Sequence, residues 1–168
     1  DLESYLESLQ TKITIAQAGE QEKMRVHQLF SKTNQFNVTT KRYSMADVES
    51  LIERDSCELY TVQASDRFGD LGIIGLCLVE NINRDTAFID SFILSCRAMG
   101  RGIETAMVNF IKEEYFGRRG MSNLGALFIP TKKNMPAQQF YPGQGFETVD
   151  DASSGECRYA LLVDNSSI

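Results

Sequence analysis

At 168 residues the chain has about one domain's worth of length (~150 residues), enough to bury roughly 70% of its unfolded surface. Seventeen Lys and Arg against 23 Asp and Glu give a net charge of −6, which argues against a general binder of nucleic acid or anionic membrane. One histidine, four cysteines without a C-x-x-C pair, no signal peptide and no apolar run near the ~20 residues of a membrane span lead us to expect a metal-free, cytoplasmic protein with reduced thiols.

In chain order, residues 1–10 place Leu2, Tyr5, Leu6 and Leu9 on a helical stripe. Residues 11–18 alternate Ile13 and Ile15 with polar neighbours, as a strand does, and 20–31 read as a helix carrying Met24, Leu29, Phe30 and the lone His27, a surface or packing residue. The polar, amide-rich stretch 32–42 has little periodicity. Ser44 and Asp47 have capping-box spacing and open a helix through Val48, Leu51 and Ile52. Residues 59–65 and 71–80 form a hairpin around 66–70, and 87–95 a third, apolar strand. A helix over 103–116, a strand over 124–130, a short helix over 134–141 and a last strand over 157–163 complete an α+β pattern whose strands concentrate after residue 58.

The strongest local signal is Arg97-Ala98-Met99-Gly100-Arg101-Gly102, between a strand and an amphipathic helix. Glycines there let backbone N–H groups approach an anion at a helix N-terminus, and the two arginines can add charge-assisted bonds; a tight strand-to-helix turn is the alternative. No Walker loop is present, and residues 100–105 mimic a dinucleotide fingerprint with Thr105 in place of its third glycine.

In this setting R-x-x-G-x-G resembles the pyrophosphate-binding motif of the GNAT superfamily of acyl-CoA-dependent acyltransferases. Asn134-x-x-Ala137-x-x-x-Tyr141-x-x-x-Gly145-Phe146 is similar to that family's later helix-and-strand signature, and the element order agrees. The resemblance covers about residues 11–164. It implies a mixed, mostly antiparallel central sheet flanked by helices in α/β/α layers, ending in two strands. It also implies coenzyme A, acyl-CoA or a carrier-protein phosphopantetheine as cofactor. Phe92, Ile93 and Leu94 would pair with a pantetheine arm in a slot opened against the strand at 124–130. Arg97, Ala98, Met99, Gly100, Arg101 and Gly102 would hold the phosphates, and Asn134 would contact the cofactor. Tyr141 takes the position of the general acid; a core tyrosine beside Phe140 and Phe146 is the alternative.

Asp90, in an otherwise apolar strand, is the candidate general base, with Glu80 as a second choice and a buried structural carboxylate as the alternative. Cys96 adjoins the phosphate turn, but with no base nearby it reads as a small buried thiol. Lys32, Asn34, Gln35, Asn37, Thr39 and Arg42 would line the acceptor side of the slot, or form a solvated loop between helices.

Residues 32–44 and 89–104 look, more narrowly, like the C-terminal part of FkbH-like proteins of polyketide pathways. There a HAD-like domain precedes a GNAT-like one, and the protein moves a glyceryl unit to an acyl carrier protein. This resemblance implies residues 1–10 as a linker helix from an upstream HAD-like domain, 11–164 as the GNAT-like domain, 165–168 as a tail, and an acyl carrier protein as partner. Three activities follow: acyl transfer from a pantetheine thioester, non-catalytic holding of the arm, and small-molecule N-acetylation.

Overall fold

A computed structural model describes residues 1–151 and 155–165; most of the expected tail, including Ser166 and Ser167, lies outside the described residues. Among the described residues seven strands form one sheet in the order β1-β2-β3-β4-β5-β7-β6. They are β1 (Lys12–Gln17), β2 (Cys57–Asp66), β3 (Gly69–Asn81), β4 (Thr86–Leu94), β5 (Asn123–Phe128), β6 (Glu147–Asp151) and β7 (Cys157–Leu162). Among these described strands only β4 and β5 run parallel; every other pair is antiparallel.

The helices are α1 (Leu2–Ser8), α2 (Lys23–Lys32), α3 (Met45–Glu53), α4 (Ile103–Lys112) and α5 (Phe140–Gly143). On one face Val26, Leu29 and Phe30 of α2 and Val48 and Leu51 of α3 pack on Leu59, Leu76, Leu78 and Ile93. On the other face Ile103, Met107, Val108 and Ile111 of α4 join a larger core with Val62, Ile74, Cys77 and Phe92. The expected α/β/α layering follows, because α2, α3 and α4 each have one apolar stripe to bury and the central strands are apolar on both faces.

Ser44 begins α3 as its spacing predicts: its hydroxyl accepts from Asp47 N–H at 3.1 Å, and the Asp47 carboxylate accepts from Ser44 N–H at 2.9 Å. The helix expected over 103–116 is instead α-helical only to Lys112 and continues as a π-helical turn over Glu113–Arg118. That turn keeps Tyr115 and Phe116 buried. Residues 134–141 yield a 3-10 turn, Met135–Ala137, before α5 rather than one helix. The stripe on α1 forms, but Leu2 and Tyr5 stay exposed and no residue within the helix is buried. Cys57 and Cys77 are buried, whereas Cys96, expected to be buried, is exposed, because it lies past the end of β4 in a 3-10 turn.

Two features of β4 shape the site. Opposite β3 its register slips, Leu78 facing Ser91 and Val79 facing Ile89, so Asp90 is the extra residue of a bulge. Its pairing with β5 covers only Thr86 to Ile89 against Asn123 to Ala126, and the strands diverge beyond. Gly125 permits the close pairing below the divergence, since a Cβ there would lie 2.7 Å from Phe88 Cδ2.

Candidate active site

Beyond the last paired residues of β4 and β5 lies the slot expected from the sequence, and the chain itself fills it. Residues 36–38 run between the strands. Val38 N–H donates to Phe92 O at 3.3 Å, Leu94 N–H to Phe36 O at 3.0 Å, and Ile129 N–H to Val38 O at 2.8 Å. Asn37 forms a β-bridge with Ile93. Phe36, Asn37, Val38 and Thr39 are all buried, so four of the eleven residues read as a polar loop are interior. The reason is the apolar pair Phe36 and Val38: Phe36 packs its ring 5.0 Å from Phe140 and 6.0 Å from Phe92.

Asn134, fully buried, fastens this arrangement. Its amide nitrogen donates to Asn37 O at 3.0 Å and to Ile129 O at 2.9 Å, and its Oδ1 accepts from Thr131 N–H at 2.7 Å. Asn37 in turn accepts at Oδ1 from Thr40 N–H at 2.8 Å and from Thr39 N–H at 3.3 Å, and donates to Thr33 O. Thr40 has φ of +52°, a left-handed conformation that β-branched residues seldom adopt.

Asp90 bonds residues just past this segment, and Tyr141 packs on Phe140, which in turn packs on Phe36. The Asp90 carboxylate, 5% exposed, accepts from Tyr43 Oη at 2.7 Å and Ser91 Oγ at 2.8 Å and forms an ion pair with Lys41 Nζ. Burial, and then the carboxylate it donates to, push the Tyr43 phenol well up. Lys41 and Tyr43 were not foreseen; a buried acid in an apolar strand calls for cationic or hydroxyl partners, but nothing in the local text says which. Tyr141 is buried among Phe140, Phe146 and Tyr159, with ring centroids 5.1, 5.2 and 5.7 Å away. Its hydroxyl is buried with no hydrogen-bond partner among the described residues, and burial raises its pKa well above 10.

The turn after β4 remains open. Gly100 and Gly102 have φ of +81° and +79°, with nothing within 4 Å of where a Cβ would stand. The N–H groups of Gly100, Arg101 and Gly102 have no acceptor among the described residues, and α4 starts without a side-chain cap. Ala98 and Met99 donate back to Ser95 O and Cys96 O, which shapes the turn. Arg97 is exposed and donates to Leu71 O at 3.2 Å. Arg101 is already paired with Asp66 at 2.9 Å, and that guanidinium holds the Asp66 carboxyl below its usual range.

The rest of the amide-rich stretch divides. Lys32, Asn34 and Gln35 line an open groove of about 390 Å³ together with Arg25, Thr33 and Cys96, whose thiol meets Gln35 Oε1 at 3.5 Å. Arg42 turns back to Phe30 O, Thr33 O and Asn34 Oδ1, satisfying the last carbonyls of α2.

For a phosphopantetheine cofactor the two ends therefore differ. The turn at 100–102 fits the phosphates, with unpartnered N–H groups, open space and a helix N-terminus together. The slot does not accept the arm in this arrangement, because the groups at Phe92 and Leu94 are taken. Among the described residues no cluster of His, Cys, Asp and Glu could hold a metal, and no helix is long and apolar enough to cross a membrane.

The model of the acetyltransferase (GNAT) family matches residues 23–146. No curated protein matches the chain. Among solved structures, a domain from Methanocaldococcus jannaschii superposes with a TM-score of 0.71 at 16% identity, over 90% of this chain and 99% of that one. Spermidine N-acetyltransferase from Vibrio cholerae, in complex with CoA and spermine, gives 0.71 at 16% over 91% and 96%. The ribosomal-protein-S18-alanine N-acetyltransferase of Escherichia coli gives 0.67 at 13% over 94% and 96%. At these identities the structures speak for the fold.

Proposed function

Because the chain belongs to the acetyltransferase (GNAT) family, we propose that it handles an acyl thioester borne on a pantetheine arm, as coenzyme A or as the phosphopantetheine of an acyl carrier protein. The observation that carries this reading is the turn at 100–102, whose unpartnered N–H groups face open space at the start of α4. Similarity of residues 32–44 and 89–104 to FkbH-like proteins supports a narrower setting, glyceryl loading onto a carrier protein behind an upstream HAD-like domain.

Bound there, the cofactor supplies an activated acyl group. The chain supplies backbone amides for the phosphates, and Tyr141, which burial keeps protonated; it holds a proton for the departing sulfur, although the same upward shift weakens the phenol as an acid. Asp90 is already engaged by Lys41, Tyr43 and Ser91. This lack of a free base at Asp90 favours a second reading, in which the domain holds the arm without catalysing.

Turnover of acyl-CoA and acyl-carrier protein by wild type and Tyr141→Phe tests both. Loss of turnover in the variant supports catalysis with Tyr141 as acid, and unchanged rates remove Tyr141 from the chemistry. Binding without turnover in either protein supports the holding role. Acetylation of a polyamine in the same assay would favour a small-molecule N-acetyltransferase, the activity named for the Vibrio cholerae neighbour.

A further inference from the structure

Given the pantetheine reading above, on which this rests, we infer that residues 36–38 are a displaceable internal occupant of the slot: the segment stands in for the arm, and the arm binds only when the segment withdraws. The bonding is that of an inserted strand. Phe36 and Val38 satisfy Leu94 N–H and Phe92 O on β4, and Val38 O satisfies Ile129 N–H on the far side. An amide-bearing arm laid along β4 needs those same groups on Phe92 and Leu94, so arm and segment exclude each other.

The filled arrangement carries two unfavourable features. Thr40, just past the inserted residues, sits at φ +52°, a conformation costly for a β-branched side chain. The Tyr141 hydroxyl is buried with no hydrogen-bond partner among the described residues, a rare condition in folded proteins. On the C-terminal side of the segment the chain has anchors of its own: Arg42 to the end of α2, Lys41 and Tyr43 to Asp90. Withdrawal of residues 36–40 breaks the bonds of Asn37 with Asn134 and Thr33 and leaves these anchors in place. The phosphate turn stays open meanwhile, so a ligand's phosphates can dock before its arm competes for the slot.

Amide hydrogen exchange with coenzyme A, and with adenosine 3′,5′-bisphosphate (phosphates but no arm), tests this. Coenzyme A should deprotect the Val38 amide, and the bisphosphate should leave it protected. Phe36→Ala, which loosens the segment, should bind coenzyme A about tenfold tighter or more, with bisphosphate affinity unchanged. A Val38 amide that stays protected with coenzyme A bound, or equal coenzyme A affinity in both proteins, overturns the inference and leaves the pantetheine reading standing. Failure of both proteins to bind either ligand overturns that reading, and this inference with it. The wild-type exchange result decides the matter even if Phe36→Ala is too unstable to assay.

Discussion

At the scale of single residues, Tyr141 has the sharpest consequence. A buried hydroxyl without a partner costs about 1–3 kcal/mol, so Tyr141→Phe should stabilise the protein by about 1 kcal/mol in urea denaturation. A destabilised variant would show that the hydroxyl finds a partner in solution. Stability gained where turnover is lost is the pattern of a group kept for function. Arg101 has the opposite status, its charge being matched by Asp66 at 2.9 Å. Asp66→Asn leaves a net positive guanidinium beside the turn and should raise pyrophosphate affinity by calorimetry; unchanged affinity would place Arg101 out of reach of the anion. The motif text Arg97-to-Gly102 made the turn readable in the sequence. Asp66 was not readable as its neighbour, because it lies at the far end of β2 and no periodicity links them.

At the scale of elements, the divergence of β4 and β5 organises the site, and its causes were only partly legible. Alternation and turns located β2, β3 and β4, and Ser44 announced α3. The bulge at Asp90 left no mark, since a bulge depends on which cross-strand pairs form. The insertion of residues 36–38 was hidden for a related reason: Phe36 and Val38 sit among polar residues, and their burial needs the slot of a folded sheet. Asn134 ties that segment to the end of β5 through buried bonds. Asn134→Ala strands the carbonyls of Asn37 and Ile129, and should cost about 2–3 kcal/mol in denaturant unfolding. A loss under ~0.5 kcal/mol would mean that water replaces the amide. Gly125→Ala should also destabilise, because Phe88 blocks the added methyl at 2.7 Å.

Across the whole molecule, bulk composition concealed local charge. A chain of net charge −6 carries a groove lined by Arg25 and Lys32 without a carboxylate, next to the exposed Arg97, whose charge, after burial, lowers the Arg25 pKa. Burial also raises the phenols of Tyr43, Tyr60, Tyr115 and Tyr141, that of Tyr60 to about 12. Unfolded tyrosines ionise near pH ~10, so the folded chain binds more protons above that pH. Their stabilising contribution is complete below ~10 and falls as pH rises towards the folded values. Unfolding should therefore coincide with a cooperative rise in tyrosinate absorbance, whereas gradual ionisation of all six tyrosines near pH ~10 in the native protein would contradict the burial.

The central claim, that a phosphate-bearing pantetheine carrier docks on the turn after β4, is tested most directly by following backbone amide resonances during titration with coenzyme A. The amides of Gly100, Arg101 and Gly102 should shift first and saturate together. Saturating coenzyme A that leaves those three amides unmoved would contradict the account.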